Sequence, residues 1–190
     1  MNYFKKLLTP KLIFIILGVA LLAELVWAVV TFVKPTPPPL PVAKIQPVTG
    51  AKMVLVSPKK SYDTGEIVPV TVRVASGGRL IDGVDALIKF DPKVLEATSG
   101  AIKKGIIFAE YPLSSVDSKA GLVKISAISS TKSFSGIGVL ANISFKAKSA
   151  GIAKLMIDFE KDQTTDSNVV EAQSSKDVLD EVFNLDLTIK

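Results

Sequence analysis

From Met53 onward, hydrophobic and polar residues alternate with a period of two, the spacing at which a half-buried strand turns every second side chain toward a core. Met53–Ser57 and Ile67–Val74 are two such runs, separated by a turn over Lys60–Gly65, and Pro69 predicts an edge or a bulge because it has no N–H to give a ladder. Next, Val84, Ala86, Ile88 and Phe90 share one face while Asp85, Leu87 and Lys89 take the other, until Asp91-Pro92 sets a turn. Val94–Thr98 reads as extended, and Gly100–Tyr111 as a loop carrying buried Ile106 and Phe108. Leu113–Val116 and Leu122–Ile128 form a hairpin around Asp117–Gly121. Val139, Ala141, Ile143, Phe145 and Ala147 line up on one face, as do Ala153, Leu155, Ile157 and Phe159 after the turn Lys148–Gly151. Gln163–Asp180 is polar, with one helical turn expected at Lys176–Asp180, and Val182–Ile189 closes as a last strand. Short strands at regular spacing, divided by turn residues, predict an all-β antiparallel sandwich of eight or nine strands.

The N-terminal pattern is different. Leu12–Val33 is apolar without period, and its twenty-two residues would make a helix of about 33 Å, the length of a transmembrane span. Lys5, Lys6 and Lys11 precede it and only Lys34 and Lys44 follow nearby, a mild positive-inside bias that places residues 1–11 in the cytoplasm and everything after Val33 outside the cell. A cleaved secretory signal is the alternative, although its apolar region is ordinarily 7–15 residues long. Glu24 is an ionisable group within the run, open to protonation or to a hydrogen bond across a helix dimer. Residues 34–50 form a linker in which Lys34–Pro47 holds six prolines, a semi-rigid polyproline II spacer of about 40 Å. The expected order is therefore cytoplasmic N-terminus 1–11, transmembrane helix 12–33, linker 34–50 and sandwich domain 51–190.

Charge changes the picture only at the start of the chain. The net +5 comes mainly from residues 1–50, which hold five lysines and one glutamate, against eighteen basic and seventeen acidic side chains in the remainder. A near-neutral domain lacks the electrostatic footprint of a nucleic-acid binder. No cysteine and no histidine is present, which removes disulfides, thiol chemistry, the usual general base near neutral pH and the commonest metal ligand. Asp82, Asp85 and Asp91 are the carboxylates nearest a glycosidase pattern, but one stands before a strand, one on an outward face and one in a turn. Asp158, Glu160, Asp162, Asp166 and Asn168 offer oxygens for calcium without the twelve-residue spacing of an EF-hand, and read as an acidic solvated loop. The expectation is a non-enzymatic domain with no catalytic residue, no metal site and no cofactor.

Gly83–Glu96 with its Phe90-Asp91-Pro92-x-x-Leu95 block, then Gly121–Ala127, Gly138–Ala147 and Ser149-Ala150-Gly151, together resemble the cohesin domain over about residues 53–189. The resemblance implies a jelly-roll sandwich of about nine strands, related to carbohydrate-binding modules, that binds calcium-loaded dockerin modules and assembles extracellular polysaccharide-degrading complexes. It also implies that the partner lies across the sheet containing Asp85–Lys89, Leu113–Val116, Leu122–Ile128 and Lys154–Asp158. The outward residues there are Asp85, Leu87, Lys89, Lys124, Ser126, Ile128 and Met156, expected as an interface with an apolar centre and a charged rim. A carbohydrate-binding module on the cell surface and a structural envelope or adhesion protein are the alternatives. Few aromatic platforms are available for a glycan, Tyr62 and Tyr111 being the domain's tyrosines and Trp27 standing in the apolar run.

Overall fold

The computed structural model describes residues 10–32, 49–163 and 165–190. The chain divides into two compact units, Met1–Ile45 and Gln46–Lys190. In the first, α1 (Pro10–Phe32) begins on a proline, which is suited to the opening turn of a helix because it lacks the N–H that would go unbonded there. Its apolar side chains point outward on every side, among them Phe14, Ile15, Leu21 and Leu25. Among the described residues no helix is long and apolar enough to cross a membrane. The expected span over Leu12–Val33 is thus not found among the described residues, and Val33 with most of the expected linker, residues 34–48, lies outside them, as do residues 1–9 of the expected cytoplasmic N-terminus.

The second unit is a sandwich of two sheets. Its strands are β1 (Ala51–Val56), β2 (Ser61–Tyr62), β3 (Ile67–Ala75), β4 (Ile81–Phe90), β5 (Leu95–Glu96), β6 (Ile102–Lys104), β7 (Glu110–Asp117), β8 (Leu122–Ile128), β9 (Ile137–Ala147), β10 (Gly151–Ile157), β11 (Asn168–Glu171), β12 (Leu179–Phe183) and β13 (Leu185–Ile189). One sheet has six strands in the order β12-β1-β3-β9-β5, with β6 also on β9; the other has seven in the order β2-β13-β10-β4-β8-β7, with β11 also on β4. The two layers bury their inward rows against each other, and Phe90 of β4 meets Phe145 of β9 edge to face, ring centroids 5.2 Å apart at 67°.

Two pairs depart from the expected antiparallel plan, β1 with β12 and β2 with β13, which are parallel. They arise because the C-terminal stretch is not one strand. Val182–Ile189 splits at Asn184, so that β12 completes one sheet and β13 the other. Asn184 holds the crossing by accepting a hydrogen bond on Oδ1 from the Ile157 N–H, 2.8 Å, at the end of β10. The expected helical turn at Lys176–Asp180 is absent from the described residues; Asp177 Oδ1 instead accepts from the N–H groups of Val169 and Leu179, both 2.9 Å, and joins β11 to β12.

Pro69 lies inside a strand flanked on both sides, yet past the end of the β1 pairing, which stops at Val56 opposite Thr71. The bulge is elsewhere. The register of β3 against β9 slips between Val72 and Arg73, which leaves Leu140 extra on β9, and Leu140 is buried beside the expected Ala141 in place of Val139. The displaced Leu140 carbonyl accepts from the Gly105 N–H at 2.8 Å and from the Tyr111 hydroxyl at 2.7 Å. In the same loop Ile106 is 95% exposed, so the expectation of a buried Ile106 fails; Ile107 packs against the core in its place, beside buried Phe108.

Gly121 closes the β7–β8 hairpin in the left-handed region, φ +65°, where a Cβ would stand 2.1 Å from the Phe90 carbonyl oxygen. Gly121→Ala is expected to lower the stability of the sandwich by more than 1 kcal/mol, measured by urea unfolding of residues 46–190. Phe90→Ala removes the larger contact and should cost about 3–5 kcal/mol in the same assay. An unchanged unfolding midpoint for Phe90→Ala would mean that the inward row of β4 is misassigned.

Candidate functional site

β4 is the middle of the seven-stranded sheet because its inward residues, Val84, Ala86, Ile88 and Phe90, are buried while strands pair along both of its edges. β8 covers one edge from Gly83 to Lys89. Two strands share the other edge, β10 beside Ile88–Phe90 and β11 beside Ile81–Asp85. The gap between them falls at Leu87, where Ser167 substitutes for a strand. Its hydroxyl accepts from the Leu87 N–H at 3.0 Å and donates to the Leu87 carbonyl at 3.3 Å, and the Asp158 N–H reaches that carbonyl at 2.8 Å. Ser167 is fully buried, and its hydroxyl leaves neither the N–H nor the carbonyl of Leu87 without a partner at this break.

The outward face follows from the register. Asp85 lies opposite Ser126, Leu87 opposite Lys124, Lys89 opposite Leu122 on one side and Met156 on the other, and Ile128 opposite Gly83. The seven residues expected at the face therefore do share one side of one sheet. Ile128 is 40% and Met156 45% exposed, Lys89 and Lys124 are exposed, and Asp85, Leu87 and Ser126 are half-buried. β7 extends the face with Leu113, opposite Ser126 and 43% exposed, which the expected set left out.

The expected layout of apolar centre and charged rim is not what the register produces. Lys124 sits between Leu87 and Ser115 in the interior of the sheet, and Lys89 between Met156 and Leu122, so apolar and polar side chains form a checkerboard. Lys89 is also not a free charge: its Nζ is 2.7 Å from Asp158 Oδ1. Nothing in local sequence signals that pair, because Asp158 arrives from the far end of β10.

Around the face, the β7–β8 turn is organised by Asp117, whose Oδ1 accepts from the N–H groups of Ala120 at 2.9 Å and Lys119 at 3.0 Å. Those backbone donors hold its carboxyl below the ordinary carboxylate range. Of the carboxylates weighed for catalysis, Asp91 caps a turn through the Lys93 N–H at 2.8 Å, Asp85 lies on the open face, and Asp82 is at the start of β4. In the acidic loop Asp166 accepts from the Glu160 N–H and Asp158 is paired with Lys89. Among the described residues no group of three or more acidic, histidine or cysteine side chains is arranged to hold a metal. A cavity of about 290 Å³ at one end of the sandwich is walled by Arg79, Lys161, Asp162 and Asp180, with Lys161 bound to Asp180 at 2.7 Å and Arg79 to Glu171 at 2.8 Å.

The sequence profile of the cohesin domain matches residues 52–190, almost the whole two-sheet unit. The chain belongs to the cohesin family. Its cohesin domain is similar in fold to the seventh ScaB type I cohesin of Pseudobacteroides cellulosolvens, with 19% identity, TM-score 0.59, and coverage of 75% of this chain and 93% of that one. It is likewise similar to a non-cellulosomal cohesin of the hyperthermophilic archaeon Archaeoglobus fulgidus, with 14% identity, TM-score 0.56, and coverage of 75% and 92%. A third neighbour is a chain of a type I cohesin–dockerin complex from Clostridium thermocellum, with 13% identity, TM-score 0.55, and coverage of 73% and 99%. No curated protein matches the chain. Family membership places the domain among non-catalytic attachment modules.

Because the Asp117 carboxyl is lowered in the folded state, its contribution to stability is complete above the unfolded carboxylate pKa of about 4 and disappears as pH falls through the lower folded value. Asp117→Asn should therefore lower the melting temperature at pH 7 and narrow the gap to the parent protein as pH drops below 4. A melting-temperature difference that stays constant from pH 7 to pH 3 would contradict this account of the turn.

Proposed function

We propose that this cohesin domain is an attachment module that receives a dockerin-type module of another protein on the outward face of its seven-stranded sheet. The carrying observation is that Asp85, Leu87, Lys89, Lys124, Ser126, Ile128 and Met156 share one side of that sheet, with three aliphatic side chains set among charges. A checkerboard of this kind supports a protein partner, because each apolar contact is flanked by a polar group that fixes register. The aromatics of the same sheet support this over a glycan: Tyr62 and Phe90 are buried, and the Tyr111 hydroxyl is tied to the Leu140 carbonyl. A link to polysaccharide binding or breakdown then belongs to the partner.

The apolar run Leu12–Val33 supports anchoring at a membrane, with the cohesin domain on the outer side and the proline-rich stretch as its spacer. Protease added to intact cells is expected to remove the domain and leave a short N-terminal fragment. A domain protected until the cells are lysed overturns that orientation.

The docking face is tested by Ile128→Asp combined with Met156→Asp, two exposed positions whose change should leave the melting temperature within a few degrees. Capture of a dockerin-bearing protein, carried out with calcium and repeated with a chelator, should weaken at least tenfold, about 1.4 kcal/mol, in the double variant. Equal capture by a well-folded double variant rules this face out.

A further inference from the structure

The six-stranded sheet carries a feature that docking on the opposite sheet does not use. Asn142-Ile143-Ser144 is the only Asn-x-Ser/Thr triplet in the chain, the acceptor pattern for attachment of an oligosaccharide to an asparagine amide. A triplet alone says little, so its setting decides. All three residues lie in β9, where the period of two sends Ile143 fully into the core and leaves Asn142 and Ser144 exposed on the same outward side. Asn142 is also oriented. Thr71 on the neighbouring strand donates its hydroxyl to Asn142 Oδ1 at 2.7 Å, so the amide oxygen is engaged across the sheet while Nδ2 takes no part in that bond and the side chain stays exposed. The other neighbour is Lys103 of β6, an exposed side chain with a flexible stem that can move aside.

We propose that Asn142 is an N-glycosylation site. The donor is of the lipid-linked oligosaccharide class, in which the sugar C1 is bonded to a polyisoprenyl phosphate or diphosphate. A bond forms between Asn142 Nδ2 and C1, the C1–O bond to the phosphate breaks with its electron pair leaving on the phosphate, and Nδ2 releases one proton to solvent. No oxidation or reduction takes place. The inference rests on the external location proposed above, since donors of this class are used on exported chains. It does not rest on the docking face, which occupies the other sheet.

The test uses the full chain isolated from the cells that naturally produce it. Trypsin cuts at Lys132 and Lys146 release a peptide, residues 133–146, that contains Asn142, and mass spectrometry of that peptide is expected to show an added saccharide. Asn142→Gln and Ser144→Ala should each abolish the added mass, whereas Ser144→Thr should retain it, and capture of a dockerin-bearing protein should be unchanged in all three. An unmodified peptide from chains whose domain is removed by external protease overturns the inference and leaves the location standing. An unmodified peptide from chains protected from protease overturns both. Added mass that persists in Asn142→Gln overturns the assignment to this residue.

Discussion

Two inward rows of side chains, one from each sheet, meet across the sandwich, and the edge-to-face contact of Phe90 with Phe145 lies where they meet. Its consequences reach the surface through strand geometry. With Phe90 and Ile88 committed to the interior, Lys89 and Leu87 have no choice but to face outward, and the register with β8 and β10 then sets what stands beside them. The composition of the proposed docking face is in this sense an outcome of the core. A slip of one residue in β4 would turn the carboxylate of Asp85 into the interior and the Phe90 ring into water.

The strands legible in the sequence are those with a half-buried face and no interruption: β8 and β10 follow their alternation from end to end, and β4 follows it from Val84 to Phe90. What alternation cannot show is a place where the count breaks. At Leu140 the strand inserts one residue because β3 slips beside it, and the row of β9 shifts from Val139 to Leu140. At Asn184 a run of apolar and polar residues that reads as a single strand changes sheets, and only the partner at Ile157 reveals why. Ile106 and Ile107 are equivalent as residue types; the choice between them is made by Gly138, whose missing side chain leaves room for Ile107.

For the candidate site, membership of the face could be read from period and family pattern, while its arrangement could not. The expected division into apolar centre and charged rim ignored pairing between strands distant in sequence, and that pairing places Lys124 beside Leu87 and brings Asp158 to Lys89. Ser167 was equally out of reach, because a serine in a polar stretch carries no sign that it will fill a gap in a sheet edge eighty residues earlier in the chain.

The parallel pairing of β1 with β12 and of β2 with β13 also governs the order in which the molecule can assemble. The first two strands of the domain find a neighbour only in residues 179–189, so neither sheet can close until that stretch has been made. Long-range closure of this kind is slow, since a large loop must be ordered before its contacts form. A partly synthesised chain therefore stays open and unlocked, with β1 still lacking β12 and β2 still lacking β13, and the two sheets become a single cooperative body only when residue 189 arrives. The arrival of β12 and β13, in a domain built this way, is the event that allows folding to complete.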